Sequence, residues 1–450
     1  MGAVAAAMKD RGCVVSGSDA QVYEPMSSFL KEKGIVIVEG YAAENIPPQA
    51  DMVVIGNAVS RGNPEVEAIL ERKLAYTSLP QLLKDQFLWG RRNLVVTGTH
   101  GKTTTASMLT HLLCSCGLDP GYMIGGIARD LGRGCHFSDS KFFVLEGDEY
   151  DTAFFDKRSK FVHYLPEVVI INNIEFDHAD IFEDLDAIKK SFRNMLNIVP
   201  GNGIVLVNGD DENALDVAKG CHAQVLRVGF DAQCERRITD VEYGPGSSRF
   251  TVHGIRCEIA MDGEFNVRNA AMALCAACFV GLDEEQISGS LAGFSGVARR
   301  QELRGEQAGI KVIDDFGHHP TAIRATLGAI RQRYPGSRIW ALFEPRSNTS
   351  RRNLMQDELM EALSAADGVF VCPVTDSGKV PEGQLLDVKA VVEALIEKGR
   401  EAFVEPGADA IVTRLKSLAE DGDTVVVLSN GGFDGIHVKL LQALGEGMEG

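Results

Sequence analysis

Basic residues are under-represented in this chain of 450 residues. Lys and Arg together number 45 against 63 Asp and Glu, which gives a formal net charge of −18 at pH 7. Proteins that bind a nucleic-acid backbone or an anionic membrane surface carry Lys and Arg in excess. The composition therefore predicts no nucleic-acid partner and no membrane partner, and any phosphorylated substrate must be met by a few locally placed cations.

Long apolar runs and paired cysteine motifs are also missing. No stretch approaches the roughly 18 apolar residues that a membrane-spanning helix requires. The 10 cysteines are scattered, and the C-x-x-C at Cys275 and Cys278 has no matching second pair and lies in an Ala-rich stretch. We therefore expect reduced cysteines that pack as small apolar side chains, in a cytoplasmic protein.

The domain organisation is predicted from chain length and from the distribution of apolar runs. A chain this long exceeds what one hydrophobic core normally serves. Short apolar runs that alternate with helical stretches and end in glycine or polar residues are typical of α/β units. Three such segments are predicted, over residues 1–90, 91–297 and 298–450.

The first segment lacks one element of a Rossmann-like unit. Its first helix is predicted to extend to Gly12, and strands are predicted at residues 13–15, 35–38 and 52–55. Asp19 stands where such a unit carries the acidic residue that closes its second strand. The opening strand and its glycine turn do not precede the helix, so the sequence predicts that residues encoded upstream of Met1 would supply them.

A glycine-rich turn provides the strongest local signal. It connects a predicted strand at residues 94–96 to a helix predicted to run to Cys116. Backbone amides at such a turn form an anion-binding nest, while Lys102 can reach the β- and γ-phosphates and the Thr103 hydroxyl can bind magnesium. Val96 replaces the first glycine of the full motif, so the loop is a variant. The residues predicted to bind the nucleotide here are Gly98, Thr99, His100, Gly101, Lys102, Thr103 and Thr104.

Acidic residues cluster after two further predicted strands, at residues 142–145 and 168–171. Four carboxylates crowd into residues 146–151, an arrangement that is costly unless a cation compensates it. We predict Glu146 as a magnesium ligand, with a merely solvated acidic loop as the alternative. His178, flanked by Asp177 and Asp180, is predicted as a second metal ligand.

Polar residues farther along the chain complete the candidate site. Asn266 and Asn269 lie one helical turn apart and can both face an adenine, with helix capping as the alternative. Arg300 can contact a transferring phosphate, with a solvated linker as the alternative. Asp315 and residues 344–349 follow predicted strands, at the edge where α/β sheets bind ligands.

The order of these motifs resembles that of the Mur ligase family of peptidoglycan synthesis. The motifs are T-G-T-H-G-K-T-T-T, E-G-D-E-Y-D, N-N-I-E-F-D-H, F-N-x-x-N, R-R-x-E-L-R-G and D-D-F-G-H-H-P, and they span essentially the whole chain. The resemblance implies an α/β fold with a Rossmann-like amino-terminal domain for the UDP-sugar, a central P-loop ATPase domain and a Rossmann-like carboxyl-terminal domain that closes on the nucleotide and binds the peptide. It also implies ATP and Mg²⁺ as cofactors.

The resemblance also implies roles for individual residues. The catalytic residues would be Lys102, Glu146 and His178, and the magnesium ligands would be Thr103, Glu146 and His178. Nucleotide contacts beyond the glycine-rich turn would come from Asn266, Asn269, Arg300 and Asp315. UDP-sugar contacts would come from Asp19, Asn57 and Ser60, and peptide contacts from Arg346, Ser347 and Asn348. Phe265 stands where many members carry a histidine, and neither Lys189 nor Lys190 falls in register with the carbamylated lysine of many relatives.

Three further segments distinguish between members of the family. Residues 148–160, 344–349 and 429–437 resemble the members that join UDP-N-acetylmuramate to the recycled tripeptide L-Ala-γ-D-Glu-meso-diaminopimelate through an acyl phosphate. The alternatives are the members that add L-alanine to UDP-N-acetylmuramate, a folylpolyglutamate synthase, and an ATP-sensing protein without ligase activity.

Replacement of Lys102 is expected to abolish ligation while leaving the fold intact.

Overall fold

The computed structural model describes residues 1–22, 26–374 and 380–445. Strands in these ranges form a ten-stranded sheet, a six-stranded sheet and three two-stranded sheets. No helix in the described ranges is long and apolar enough to cross a membrane.

Two separate strand pairs make up the sheet structure of the first segment. Its elements are α1 (Gly2–Asp10), β1 (Ser16–Asp19), α2 (Met26–Glu32), β2 (Val36–Glu39), β3 (Val53–Ile55), α3 (Pro64–Glu71), β4 (Tyr76–Ser78) and α4 (Leu79–Leu83). β1 pairs with β2 and β3 with β4, both in parallel. The strand predicted at residues 13–15 is wrong, because the Cys13 amide still bonds to the Met8 carbonyl at the end of α1 and Val14 is fully exposed.

The ten-stranded sheet is formed by residues 92–259. Its strands are β5 (Arg92–Thr97), β6 (Gly121–Met123), β7 (Cys135–His136), β8 (Phe142–Glu146), β11 (Pro166–Ile171), β12 (Ile204–Asn208), β13 (Gln224–Gly229), β14 (Arg236–Gly244), β15 (Ser247–Val252) and β16 (Ile255–Ile259), and a separate hairpin is formed by β9 (Asp151–Ala153) and β10 (Asp156–Ser159). The strand order is β16-β15-β14-β13-β12-β11-β5-β8-β6-β7. β5 pairs in parallel with β11 on one side and β8 on the other. The strands that follow β5 in the chain are thus added first on one side of it and then on the other. Such a switch point leaves a crevice for a ligand at the carboxyl end of the strand.

Helices cover both faces of this sheet. They are α5 (Lys102–Ser115), α6 (Leu185–Leu196), α7 (Glu212–Ala218), α8 (Glu264–Phe279) and α9 (Glu284–Leu291). Leu94 and Val96 pack with α5, α8 and α9, whereas Val95 faces the opposite core with α6 and α7. Because β5 is buried on both faces, its central residues 94–96 are all apolar and do not alternate with polar residues.

The six-stranded sheet belongs to the last segment. Its elements are β17 (Glu302–Gln307), β18 (Ile310–Asp315), α10 (Pro320–Arg333), β19 (Ile339–Phe343), α11 (Gln356–Leu363), β20 (Gly368–Val371), α12 (Val388–Glu397), β21 (Glu401–Val404), α13 (Ala408–Leu418), β22 (Thr424–Leu428) and α14 (Ile436–Gly445). β22 lies between β18 and β19, and only β17 is antiparallel to its neighbour. Asp315 is the last residue of β18, and the loop that follows it leads directly into α10.

Candidate active site

A cavity of about 1060 Å³ opens at the carboxyl ends of β5, β8, β11 and β18. All three segments contribute to its wall. The sequence-predicted residues that line it are Asn57, Thr99, His100, Gly101, Lys102, Thr103, Thr104, Glu146, His178, Asn266, Asn269, Arg300 and Asp315. Residues predicted from motifs up to 258 positions apart in sequence, from Asn57 to Asp315, therefore meet around one space.

The glycine-rich turn has a conformation that requires glycine at two positions. Gly98 has φ +126° and Gly101 has φ +78°, both in the region that L side chains rarely adopt. A Cβ on Gly98 would come within 3.0 Å of the Asn173 backbone, and one on Gly101 within 2.6 Å of Asn269 Oδ1. The turn is therefore packed closely against both the loop after β11 and helix α8, and it ends directly at the amino terminus of α5.

Lys102 is folded back onto the turn that carries it. Its Nζ donates to the Gly98 carbonyl at 2.6 Å and to Glu149 at 2.9 and 3.0 Å. Burial acts to lower the pKa of Lys102, but the carboxylates of Glu149 and Asp148 outweigh it, so the pKa is raised. The ammonium is thus mostly enclosed, with its side chain 14% exposed, and it is already paired with a carboxylate.

Glu149 is a site residue that was not predicted individually. Its side chain is only 3% exposed and accepts a hydrogen bond at 2.9 Å from His178 Nε2 as well as those from Lys102. Burial acts to lower the pKa of His178, whereas the hydrogen bond and charge of Glu149 raise it more strongly. His178 also has φ +55°, in the left-handed region that few residues other than glycine adopt. Glu149 thus joins two predicted catalytic residues into one network.

Thr103 and Glu146 form a second polar pair beside this network. The Thr103 hydroxyl donates to Glu146 Oε1 at 2.9 Å, and the Gly125 amide donates to Glu146 Oε2 at 2.7 Å. Arg300 reaches the same hydroxyl from the last segment, with its Nη2 at 3.4 Å. Two of the three predicted magnesium ligands therefore touch each other, while the third, His178, is bonded to a different carboxylate.

Backbone strain flanks Arg300. Arg299 and Gln301 have φ +61° and +48°, so the chain turns sharply on each side of Arg300. Arg299 points away from the cavity, where its guanidinium lies 3.2 Å from Asp314 and donates to the carbonyls of Ser429 and Gly431.

Asp315 fixes the backbone next to this turn. Its carboxylate accepts hydrogen bonds from the amides of Gln301 and Gly317 and from the Thr326 hydroxyl. Burial raises the pKa of Asp315, although Arg300 and these donors act in the opposite direction. The aspartate and the strained turn together direct Arg300 towards the glycine-rich turn.

The two predicted adenine contacts are buried at the base of the cavity. Asn266 donates to the Asp262 carbonyl at 2.8 Å, and Asn269 donates to Asn266 Oδ1 at 3.5 Å. Neither is free of protein contacts, since Asn269 also packs on Gly101. Their contact with an adenine stays a prediction.

The predicted substrate-binding residues are mostly outside the cavity wall. Asp19 is exposed at the end of β1, and Ser60 is exposed in the loop before α3. Arg346 extends beside Gly431 with its side chain about half exposed, and Ser347 bonds to Ser350. Only Asn57 of the six predicted residues Asp19, Asn57, Ser60, Arg346, Ser347 and Asn348 lines the cavity. Their roles stay predictions.

Comparison with known proteins identifies the family. Residues 1–87 match the family model described as "Mur ligase family, catalytic domain", residues 96–277 match the Mur ligase middle domain, and residues 299–431 match "Mur ligase, glutamate ligase domain". UDP-N-acetylmuramate–L-alanyl-gamma-D-glutamyl-meso-2,6-diaminoheptandioate ligase of Escherichia coli (strain K12) is 44% identical, over 100% of this chain and 97% of its own length.

Two further comparisons extend this result. UDP-N-acetylmuramate–L-alanine ligase of Acetivibrio thermocellus is 33% identical over 96% of this chain and 91% of its own length. A murein peptide ligase from Psychrobacter arcticus, known from its crystal structure, is 36% identical in sequence. The two structures superimpose with a TM-score of 0.73 over 99% of this chain and 96% of the other. The family resemblance and the α/β architecture predicted from the motifs are thus confirmed, and the chain belongs to the Mur ligase family.

Proposed function

We propose that this protein is an ATP-dependent amide ligase that joins UDP-N-acetylmuramate to the tripeptide L-Ala-γ-D-Glu-meso-diaminopimelate. The observation that carries the proposal is the convergence of Lys102, Thr103, Glu146 and Arg300 on one cavity, in a chain 44% identical over its whole length to a relative named for this reaction. The L-alanine ligases are the second candidate, since one of them is 33% identical over 96% of the chain.

The proposed reaction has two steps. A muramoyl carboxylate oxygen attacks the γ-phosphorus of ATP, the bond to the bridging oxygen breaks, and ADP leaves an acyl phosphate behind. The tripeptide amine then attacks the acyl carbon, a C–N bond forms, the amine loses a proton and phosphate departs. Both reactants of the first step are anionic, so fixed positive charge in a water-poor site lowers its barrier.

Lys102 and Arg300 supply that charge. In the structure Lys102 is paired with Glu149, so a bound nucleotide competes with this carboxylate for the ammonium. Glu149 keeps His178 as a partner when Lys102 turns to a phosphate, which limits the cost of the exchange. Arg300 approaches the Thr103 hydroxyl from the last segment, so its charge reaches the transferring phosphate when that segment lies against the turn.

Magnesium fits the donor set of the Thr103–Glu146 pair. Two oxygen atoms 2.9 Å apart at the mouth of an anion nest match the preference of this hard cation for hydroxyl, carboxylate and phosphate ligands. Thr103 and Glu146 would hold the ion, with His178 as the remaining proposed ligand. The bound ion would neutralise charge on the phosphate oxygens.

The three segments have separate proposed tasks. Residues 1–90 bind the UDP-sugar through Asp19, Asn57 and Ser60, residues 91–297 bind ATP, and residues 298–450 bind the peptide through Arg346, Ser347 and Asn348. Support comes from Asn57, which lines the cavity together with the glycine-rich turn. Further support comes from the loop after β19, where the Thr349 hydroxyl accepts a hydrogen bond from Ala179 of the central segment at 3.4 Å.

Replacement of the proposed magnesium ligand is expected to change the metal dependence. Glu146→Gln should raise the Mg²⁺ concentration for half-maximal rate by about tenfold or more, because a neutral amide is a weaker ligand for a hard cation. Excess Mg²⁺ should partly restore the rate. Steady-state rates across a Mg²⁺ titration check this expectation, and an unchanged titration in a folded Glu146→Gln protein would contradict it.

His178→Ala provides the comparison for the third proposed ligand. A shift of the Mg²⁺ titration similar to that of Glu146→Gln would support direct coordination. A lower rate with an unchanged titration would instead show that His178 acts by holding Glu149, its partner in the structure.

The substrate is tested by product mass. With UDP-N-acetylmuramate, ATP and Mg²⁺, we expect the tripeptide adduct to form at least about a hundredfold faster than the L-alanine adduct at equal acceptor concentration. L-Alanine lacks the distal carboxylates of the tripeptide, so it would leave empty the part of the site that binds them. The mass spectrum of the quenched reaction distinguishes the two products. A preference for L-alanine would establish the second candidate, and ATP binding without either product would favour the ATP-sensing alternative.

A further inference from the structure

Two histidines and a glutamate meet beside the glycine-rich turn, away from the Thr103–Glu146 pair. His100 belongs to the turn, Glu175 follows β11, and His319 precedes α10. Glu175 Oε2 lies 3.2 Å from His100 Nε2 and 3.3 Å from His319 Nδ1, and the three donor atoms all lie within 4.8 Å of one another. His100 is predicted to bind the nucleotide as part of the turn, but the proposed ligation chemistry gives Glu175 and His319 no individual role.

Two of the three separations, which are hydrogen-bond or ion-pair distances in this structure, also match an edge of a metal-ligand tetrahedron. Zinc bonds to imidazole nitrogen and carboxylate oxygen at about 2.0–2.1 Å, so neighbouring ligands on a tetrahedron are about 3.3 Å apart. Both distances to Glu175 Oε2 agree with such an edge. Two imidazoles and one carboxylate also favour zinc, cobalt or nickel over magnesium, which prefers oxygen ligands.

A hydrogen bond orients the His319 ring for this role. Its Nε2 lies 3.3 Å from the Phe176 carbonyl, which can only accept, so Nε2 carries the proton. Nδ1 is then the unprotonated nitrogen. It lies 3.3 Å from Glu175 Oε2 and accepts a long hydrogen bond of 3.3 Å from the Thr321 amide, which an ion bound at Nδ1 would replace. A ring nitrogen that donates to a carbonyl while the other faces the ion is the usual outer arrangement of a metal-bound histidine.

Hydrogen bonds hold the backbone at the other two proposed ligand residues. The His100 amide donates to Asn173 Oδ1 at 2.8 Å, and the Glu175 amide donates to the Thr99 hydroxyl at 2.9 Å. The side chains of His100 and Glu175 are 18% and 30% exposed and line the cavity, so an ion can enter from it. The backbone that carries the cluster is therefore fixed, and the cluster is open towards the cavity.

We propose that His100, Glu175 and His319 bind one borderline divalent transition-metal ion, with Zn²⁺ as the best match, at a site separate from the magnesium site. The ion connects the glycine-rich turn of the central segment to the first turn of α10 in the last segment. Because Lys102 and Thr103 directly follow this turn, the ion holds the last segment against the phosphate-binding residues. Zinc binding should consequently raise the melting temperature of the intact chain.

Cobalt is the probe for this site, because tetrahedral Co²⁺ gives a visible d–d absorption and Zn²⁺ gives none. The intact chain is stripped with a chelator, kept reduced with a phosphine, and titrated with Co²⁺ in excess Mg²⁺. We expect one Co²⁺ per chain, a tetrahedral spectrum that Zn²⁺ removes, and affinity at least about tenfold lower in His319→Asn and Glu175→Gln. Asparagine keeps the helix-capping ability that His319 provides to α10, so the first variant is expected to fold.

Two controls define the site further. His136→Ala removes a histidine that pairs with Asp119 at 2.8 Å elsewhere in the central segment, and Glu146→Gln alters the magnesium site. Both should retain the cobalt spectrum. The proposal is overturned if wild type shows no tetrahedral band, if Mg²⁺ displaces it, if a thiolate charge-transfer band shows binding at cysteine instead, or if His319→Asn and Glu175→Gln, each shown folded by its melting curve, bind Co²⁺ like wild type.

Discussion

Lys102→Met is expected to reduce kcat by at least about a thousandfold, because the ammonium that faces the transferring phosphate is lost and methionine supplies no charge. The structure adds an effect on stability that the sequence did not predict. Lys102 pairs at 2.9 Å with Glu149, whose side chain is 3% exposed. Removing it leaves a buried carboxylate with only His178, which should lower the free energy of unfolding by about 2 kcal/mol.

A second substitution separates the two effects. In Lys102→Met/Glu149→Gln the buried charge is removed together with its partner, and the amide still bonds to His178, so stability should return to near the wild-type value. The rate should stay low. Denaturant unfolding and steady-state kinetics on the wild type, both single variants and the double variant check this expectation. Recovery of the rate in the double variant would show that Lys102 has only a structural role.

The buried parallel strands could be predicted from the sequence with good accuracy. The strands predicted at residues 142–145 and 168–171 lie within β8 and β11, because both faces of these strands are covered and the predicted residues are all apolar and buried. β14 was not predicted, since it is half exposed and its residues Arg236–Gly244 mix charged and apolar side chains. Strands of that kind depend on neighbours that a local pattern does not reveal.

The candidate site was predicted in its parts but not in its contacts. The motifs identified Lys102, Glu146 and His178 individually, because glycine turns and acidic runs after strands carry local signals. Glu149 was missed as the partner of Lys102, which lies 47 residues earlier in the chain. That pairing depends on β5 and β8 being neighbours in the sheet, although the position of Glu149 in the middle of the acidic run was an available signal.

Arg299 and Arg300 are adjacent in sequence, yet their replacement is expected to have opposite consequences. Arg300→Ala should lower kcat by about a hundredfold, because Arg300 is the cation that the last segment brings to Thr103. Its stability should fall by only about 1 kcal/mol, since its other prominent contact is with the Phe316 ring at 4.7 Å.

Arg299→Ala should instead act mainly on stability. The guanidinium of Arg299 pairs with buried Asp314 and donates to the carbonyls of Ser429 and Gly431, so its loss leaves three acceptors with fewer donors. We expect the free energy of unfolding to fall by about 3 kcal/mol, with kcat at saturating substrate reduced less than in Arg300→Ala. Urea unfolding and initial-rate kinetics on the two variants check the contrast. Equal losses of rate and stability in both variants would mean that the strained turn, with φ +61° at Arg299 and +48° at Gln301, acts as a single structural unit and does not direct one arginine to the phosphate.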